Sequence, residues 1–403
     1  MTEARRDWFP GLAAVRVVGA TCVVGTHVAF YTGRTTRGPF AGTLGRLDVG
    51  VALFFVLTGF LLFRPYAQAA LSGRAMPRTG RYLRHRALRI LPAYWLVVIA
   101  CMALLPPLGS TSRASDIVHH LTLTQIYGLV IQHTGLTQAW SLCVEVSFYV
   151  ALPLLARLVL VRGTRTAWLL MLILGVASAA WTPYLTATNI LDVRMAGQWL
   201  PSYLDWFIGG MALALAEVNL NQGPRPAAAR LLKLESLAAS PGTCWSAAGG
   251  VFAIATSPLA GPTTLRAFID VPTPSSVLLK NVLYLVVAVL VVLPLVLGPQ
   301  DQGLARHLLA TPLVQWLGEI SYGIFLWHLA LAEAVLRLTH RPLFSGGWLT
   351  MFAETWCLTI PVAYASYRFV ERPLMSWRKR PVFIPSPRSS DDQMTASPIR
   401  QSA

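Results

Sequence analysis

The first long apolar segment of the sequence carries an arginine and a histidine, two residue types that can hold an anion and move a proton. Residues 11–31, GLAAVRVVGATCVVGTHVAFY, are long enough to cross a bilayer as one helix, which takes about 20 residues. Arg16 and His27 project from nearly one face of that helix and lie about 16 Å apart along its axis. Two interpretations are open: a pair of interfacial residues at opposite ends of a span, or a polar pocket with a basic anchor and a titratable imidazole.

Two further arginines enter a later apolar segment side by side. In RYLRHRALRILPAYW, residues 81–95, Arg86 and Arg89 are three positions apart and therefore share one helical face. Neighbouring guanidiniums suit the binding of phosphate. The alternative is an ordinary basic flank at the cytoplasmic end of a span, although Arg89 lies where the apolar run has already begun.

A polar stripe begins another apolar segment, WSLCVEVSFY at residues 140–149. Ser141, Glu145 and Tyr149 follow one another at intervals of one helical turn, so they lie on one face. A carboxylate inside the membrane is costly unless it is paired, and the partners that the sequence offers are Arg16 and His27. A structural ion pair and a catalytic acid are both open interpretations of Glu145.

The segment GEISYGIFLWH, residues 318–328, adds Tyr322 and His328 to the candidate residues. His328 is either a hydrogen-bonded packing residue or a second base. Together with Ser141 and Tyr149, these two residues are predicted to line a substrate pocket.

The composition places most of the chain in a membrane. Of its 403 residues, 55% are hydrophobic and 12% are charged, a balance that excludes a soluble protein of this length. The net charge of +16 comes from loops between apolar segments, and no basic run is interleaved with aromatic residues as on a nucleic-acid-binding surface. The five cysteines have no zinc-site spacing, so neither a nucleic-acid partner nor a metal site is predicted.

Hydropathy predicts an all-α integral membrane protein with about ten spans, at residues 11–31, 49–67, 89–107, 139–160, 167–186, 200–217, 244–259, 278–298, 312–337 and 347–369. Arginines concentrate in alternate loops, which predicts that both termini are cytoplasmic. Residues 1–375 are expected to form one transmembrane domain. Residues 376–403, rich in Ser, Pro, Asp and Gln, are expected to form a disordered cytoplasmic tail.

The motifs occur together and in a fixed order: Arg16 with His27, DVGVALFFVLTGFLLF at 48–63, the arginine pair before LPAYW, WSLCVEVSFY, SYGIFLWH at 321–328 and YRFVERP at 367–373. As a set they resemble the acyltransferase 3 family of integral-membrane O-acyltransferases over nearly the whole chain. The resemblance implies about ten helices with cytoplasmic termini, an essential arginine and histidine at Arg16 and His27, and a functional arginine pair at Arg86 and Arg89.

The resemblance also implies the transfer of acyl groups, often acetyl, to sugar hydroxyls of envelope polysaccharides, glycolipids or exported glycosides at the bacterial cytoplasmic membrane. We therefore expect acyl-CoA as a donor substrate rather than a permanently bound cofactor, and a sugar or glycolipid acceptor. His27 is the expected general base, with Arg16 and Glu145 as further catalytic residues. The alternative is a transporter or flippase that uses the same intramembrane arginine, histidine and glutamate to bind or move its substrate.

Overall fold

The computed structural model describes residues 9–105, 114–128, 133–221, 228–261, 272–299 and 304–376, which fold as helices and contain no strand. We label the long helices α1 Gly11–Tyr31, α2 Val49–Leu71, α3 Thr79–Leu104, α4 Ala139–Leu160, α5 Thr164–Thr188, α6 Leu204–Asn221, α7 Pro241–Ala255, α8 Pro274–Val296, α9 Pro312–Leu338 and α10 Trp348–Ser366. We call the end of the bundle at which α1 begins the near end and the opposite end the far end. The predicted topology places the near end in the cytoplasm.

The all-helical, multi-pass prediction is confirmed, since seven helices are long and apolar enough to cross a bilayer. Each predicted span coincides with one of α1 to α10, but α7 is only 15 residues long. The count of ten spans and the cytoplasmic position of the termini therefore stay predictions. The tail predicted for residues 376–403 lies, beyond Ser376, outside the described residues.

One predicted boundary is wrong. Helix α3 begins at Thr79, ten residues before the predicted start of its span at residue 89. Hydropathy detects only the apolar part of a helix, whereas the backbone hydrogen bonds of α3 continue through the basic sequence before it. Arg86 and Arg89 therefore both lie inside one regular helix, which keeps their side chains on a common face.

The bundle is organised around the crossing of α2 and α6. A side chain at Gly59 would overlap the backbone of Phe207, and one at Gly210 would overlap the backbone of Val56. Glycine is required at both positions because it lets the two backbones touch, as is common where membrane helices pack. Phe55, Phe207 and Phe148 stack beside this crossing, with ring centroids 4.4 and 4.0 Å apart for the successive pairs.

Helix α1 packs closely on both of its main neighbours. Gly50 of α2 lies against the backbone of Gly19 in α1, and Gly318 of α9 lies against Ala13. These contacts hold α1 between α2 and α9 along most of its length. The two ionisable residues of α1 are thereby enclosed by other helices and do not face lipid, as the cost of charge in hydrocarbon requires.

A buried ion pair joins α2 and α6 toward the near end. Arg64 donates two hydrogen bonds to the carboxylate of Glu217. The Nε–Oε2 distance is 2.7 Å and the Nη2–Oε1 distance is 3.0 Å. Asn221 also donates to Glu217, and Phe9 lies under the guanidinium with its ring centroid 5.1 Å away. Because both charged groups are almost completely buried and form a bidentate ion pair, the pair fixes the rotation of α2 against α6.

Substituting Gly210 with alanine should destabilise the bundle, because the added methyl forces α2 and α6 apart. Overpacking of this kind costs about 1–3 kcal/mol. We expect a clear fall in the thermal unfolding midpoint of the detergent-solubilised protein. Gly249→Ala is the matched control, since Gly249 is exposed on α7 with no heavy atom near the added methyl. Equal midpoints for the two variants would contradict the proposed close crossing.

Candidate active site

A cavity of about 110 Å³ lies between α1, α2, α3, α4 and α9, and we call it the central cavity. Its polar lining residues are Arg16, Thr58, Arg86, Arg89, Ser141, Glu145, Tyr149, Ser321 and Tyr322. Every predicted site residue except His27 and His328 belongs to this lining. The local reason is helical periodicity: the spacing on α3 and on α4 turns each polar set toward the same interior space.

Glu145 is held by two hydroxyl groups. Thr58 of α2 donates to Oε1 over 2.8 Å, and Tyr149, one turn further along α4, donates to the same oxygen over 2.6 Å. Among the described residues no salt bridge joins this carboxylate to Arg16 or His27, the partners that the sequence suggested, but the charges of Glu145 and Arg16 do interact electrostatically. Sequence analysis missed Thr58, whose only signal is a lone hydroxyl in the apolar run at 48–63.

Positive charge dominates the central cavity. Three guanidiniums, from Arg16, Arg86 and Arg89, share the lining with a single carboxylate, that of Glu145. Glu371, buried in the turn that follows α10, acts on Arg89 from outside the lining. Within the described residues the cations still outnumber the carboxylates, so the cavity is suited to an anionic group.

The central cavity continues into a basic groove at the near end. This groove has a volume of about 610 Å³ and shares Leu61, Leu62 and Arg86 with the central cavity. Its other polar residues are Tyr66, Arg78, Arg81, Tyr82 and His85. Arg78, Arg81 and His85 were not among the predicted site residues. Arg78 directly precedes α3, whereas Arg81 and His85 are four positions apart and share one face of its first turns.

His27 lies outside the central cavity and contacts His328 of α9. Nδ1 of His27 is 3.1 Å from Nε2 of His328 and 2.8 Å from the carbonyl oxygen of Val23. Nδ1 of His328 lies 2.7 Å from the carbonyl oxygen of Phe325. His328 is completely buried, whereas His27 is partly exposed.

These contacts assign the tautomers of the two rings. A carbonyl oxygen only accepts hydrogen bonds, so Nδ1 of each histidine carries the hydrogen. Nε2 of His328 then accepts the same hydrogen of His27 Nδ1 that points to Val23, so that one hydrogen is shared between two acceptors. Nε2 of His27 is left with its lone pair, and no described residue donates to it. This is the arrangement that a general base needs.

His27 and Arg16 occupy different depths of the bundle. Gly50 packs against Cys22 and Val23, and His27 is one turn beyond Val23 toward the far end. Asp48, which precedes α2, lies at a similar depth, and its charge acts on His27. Arg16 is about 16 Å away along the axis. The two residues therefore act on different parts of any ligand.

The segment between α3 and α4 contains His119, His120 and His133, and its described residues, 114–128 and 133–138, pack onto the far end of the bundle. Tyr94 donates to the backbone oxygen of His120 over 2.6 Å, and Trp95 donates to that of Leu121 over 2.9 Å. Burial lowers the pKa of His120, and its Nδ1 donates to the backbone oxygen of Asp116. His120 is thus a packing residue at the far end and not part of the central cavity.

Removing the hydroxyl of Tyr149 should destabilise the folded protein only while Glu145 is present. In the wild-type background, Tyr149→Phe takes a described donor from the half-buried carboxylate of Glu145, a loss of about 1–3 kcal/mol. In a Glu145→Ala background the same change should have a much smaller effect on the thermal unfolding midpoint. Tyr184→Phe, on an exposed tyrosine of α5, is the control. Equal effects of Tyr149→Phe in both backgrounds would show that the two residues are not coupled.

Comparison with known proteins gives one consistent result. A family model described as an acyltransferase domain, Acyl_transf_3, matches residues 9–368. The chain is also 23% identical over 398 residues to the peptidoglycan O-acetyltransferase OatA of Listeria monocytogenes serovar 1/2a. That alignment covers 93% of this chain but 57% of the relative, so the chain spans little more than half of that protein's length. No solved structure matches the chain. Since the family model extends from the start of α1 to the turn after α10, this multi-pass membrane protein belongs to the acyltransferase 3 family.

Proposed function

We propose that this protein is an O-acyltransferase of the bacterial cytoplasmic membrane that transfers an acyl group, in the first instance acetyl, from cytoplasmic acyl-CoA to a sugar hydroxyl. The acceptor belongs to an envelope glycolipid, a polysaccharide or an exported glycoside. The observation that carries the proposal is the path from the basic groove to the arginine-rich central cavity, with the free imidazole nitrogen of His27 beyond it. The curated relative's description as a peptidoglycan O-acetyltransferase agrees with a cell-wall sugar as acceptor.

The donor enters from the near end. Acyl-CoA carries several phosphate charges on its nucleotide part, and the groove offers three arginines, Arg78 directly before α3 and Arg81 and Arg86 within it. Guanidiniums bind phosphate oxygens through paired hydrogen bonds, so these residues suit the nucleotide and its diphosphate. Arg86 lines both the groove and the central cavity. It therefore lies where the phosphates of acyl-CoA end and its thin pantetheine arm begins.

The arm then extends toward His27. Arg16 and Arg89 face the central cavity and hold the polar part of the donor. The further distance of about 16 Å along α1 is one that an extended arm can cover. In this arrangement Glu145 is a positioning residue, because its carboxylate is held by Thr58 and Tyr149 and offsets part of the surrounding arginine charge. Ser141 and Tyr322 complete the polar wall.

Transfer is direct, with His27 as the base. Nε2 of His27 takes the proton from the acceptor hydroxyl as its oxygen attacks the thioester carbonyl. The new carbon–oxygen ester bond forms and the carbon–sulfur bond breaks. The departing thiolate receives the proton from His27, so the products are the acylated sugar and CoA with a free thiol. His328 acts through His27, since its Nε2 accepts the hydrogen on Nδ1 and holds the ring in the reactive tautomer.

Arg86→Ala and Arg89→Ala should weaken acetyl-CoA binding. A charge-assisted hydrogen bond contributes about 1.5–3 kcal/mol, which corresponds to about tenfold or more in Kd. Lysine at either position should restore part of the loss, because it keeps the charge but not the paired geometry. The measurement is equilibrium binding of labelled acetyl-CoA to detergent-solubilised protein. Arg162→Ala, on the exposed turn after α4, is the control, and a similar loss there would argue against a specific phosphate site.

His27→Ala should lower the rate of acyl transfer by about 10²–10⁴-fold. The affinity for acetyl-CoA should stay unchanged, because only the proton transfer is lost. At position 328, glutamine can still offer an oxygen to Nδ1 of His27, whereas leucine cannot. His328→Gln should therefore keep more activity than His328→Leu at equal thermal stability. If the two variants lose activity equally, His328 does not set the tautomer of His27.

The function itself is tested in cells that carry the wild-type protein, His27→Ala or no protein. Mass spectrometry of lipid-linked and secreted glycans should show a fixed acyl mass increment in the first case only. Retention of the increment in His27→Ala would remove His27 from the mechanism. A glycan that accumulates without any change in acyl mass would instead indicate a transporter, and acetyl transfer from labelled acetyl-CoA by the purified protein would exclude that alternative.

A further inference from the structure

A separate cavity opens at the far end of the bundle, between the start of α2 and helices α4, α5, α6 and α8. We call it the far cavity. Its volume of about 610 Å³ is within the range of small-molecule binding sites. Val51 lines both the far cavity and the central cavity, so the two spaces meet at the first turn of α2.

One wall of the far cavity is aromatic. Trp140 lies against Tyr203, with ring centroids 5.2 Å apart, and Tyr203 lies against Trp206 at 5.0 Å. Trp206 donates from Nε1 to the backbone oxygen of Asn281 over 3.1 Å, which holds its ring in place. Rigid aromatic faces with polar edges suit a ligand that is apolar on one face and polar around its rim. A pyranose ring has this character.

A second part of the lining is charged, with two cations, Arg46 and Lys280, and one carboxylate, Asp48. Asp48 accepts hydrogen bonds from Lys280, over 2.6 Å, and from the hydroxyl of Tyr284. About one third of each of the Asp48 and Lys280 side chains remains exposed. Arg46 donates to the backbone oxygen of Ala260 over 2.8 Å and thereby secures the rim. This part of the lining offers both donors and acceptors, which suits a polyhydroxylated ligand.

The far cavity is also close to the reactive histidine. Asp48 lines it and interacts electrostatically with His27. Val51, one turn further along α2, borders the central cavity through which the donor would arrive. A hydroxyl held beside Asp48 would therefore lie one helical turn from Val51, which borders the donor path.

We propose that the far cavity is the acceptor site and that it binds a sugar ring, with Trp140, Tyr203 and Trp206 against the face of the ring and the Asp48–Lys280 pair on its hydroxyls. The inference rests on the proposed acyltransferase function and deepens it, because it names the residues that select the acceptor. A free glycan and the headgroup of a glycolipid present the same chemistry to this cavity.

The test blocks the far cavity without touching the donor path. Ser275 is exposed at the start of α8 and lines the cavity, so Ser275→Trp should fill part of it with little strain. Lys280→Ala removes the ammonium group that donates to Asp48 at the cavity wall. Thr188→Trp is the control, since Thr188 is exposed at the end of α5 and lies outside the cavity lining. Each variant is expressed in cells that lack the wild-type protein, and the acylated fraction of lipid-extracted and polymeric glycans is measured by mass spectrometry.

We expect Ser275→Trp and Lys280→Ala to reduce the acylated fraction at least tenfold, while the Kd of the purified variants for labelled acetyl-CoA stays within twofold of wild type. Thr188→Trp should behave as wild type. The glycan fraction that loses the increment distinguishes a polymer from a lipid-linked acceptor. An unchanged acylated fraction in both cavity variants would overturn the acceptor site while leaving the acyltransferase function intact. Absence of the increment in wild-type cells would overturn the function and this inference together.

Discussion

The structure depends on the cost of placing charge in hydrocarbon. The central cavity holds three guanidiniums and a carboxylate at membrane depth, and such groups persist there only when protein encloses them. Five helices are needed to surround the space, and each contributes part of the wall. The arrangement of the helices is therefore tied to the ionisable residues that they shelter.

Helix α2 has a central role in this arrangement. It lines the near-end groove, the central cavity and the far cavity in turn along its length. Gly50 and Gly59 bring α1 and α6 into backbone contact with it, and the Arg64–Glu217 pair sets its rotation. A helix fixed by backbone contacts on two sides keeps the three spaces aligned, which a transfer reaction across the membrane requires of its donor and acceptor paths.

The separation of arginine and histidine on α1 gives each a distinct task. Arg16 belongs to the arginine cluster of the central cavity, whereas His27 belongs to a histidine pair near the far cavity. In the proposed reaction, one end of the helix holds the donor and the other removes the acceptor proton. In that proposal, the division lets a donor from one side of the membrane react with an acceptor from the other without a covalent acyl-enzyme.

The sequence by itself determined the helical class, the approximate position of every long helix and most of the polar lining of the central cavity. These features follow from hydropathy and from the 3.6-residue period, which act within one helix and can be read along the chain. The arginine pair on α3 and the stripe on α4 were recognised for this reason.

Contacts between helices were decided only by the tertiary structure. Glu145 accepts a hydrogen bond from Thr58, His27 contacts His328, and the far cavity collects residues from five helices. No local pattern encodes these neighbours, because the rotation and depth of each helix are set by backbone contacts such as those of Gly59 and Gly210. A helical period shows which residues share a face, but only the packing of the helices determines what that face meets.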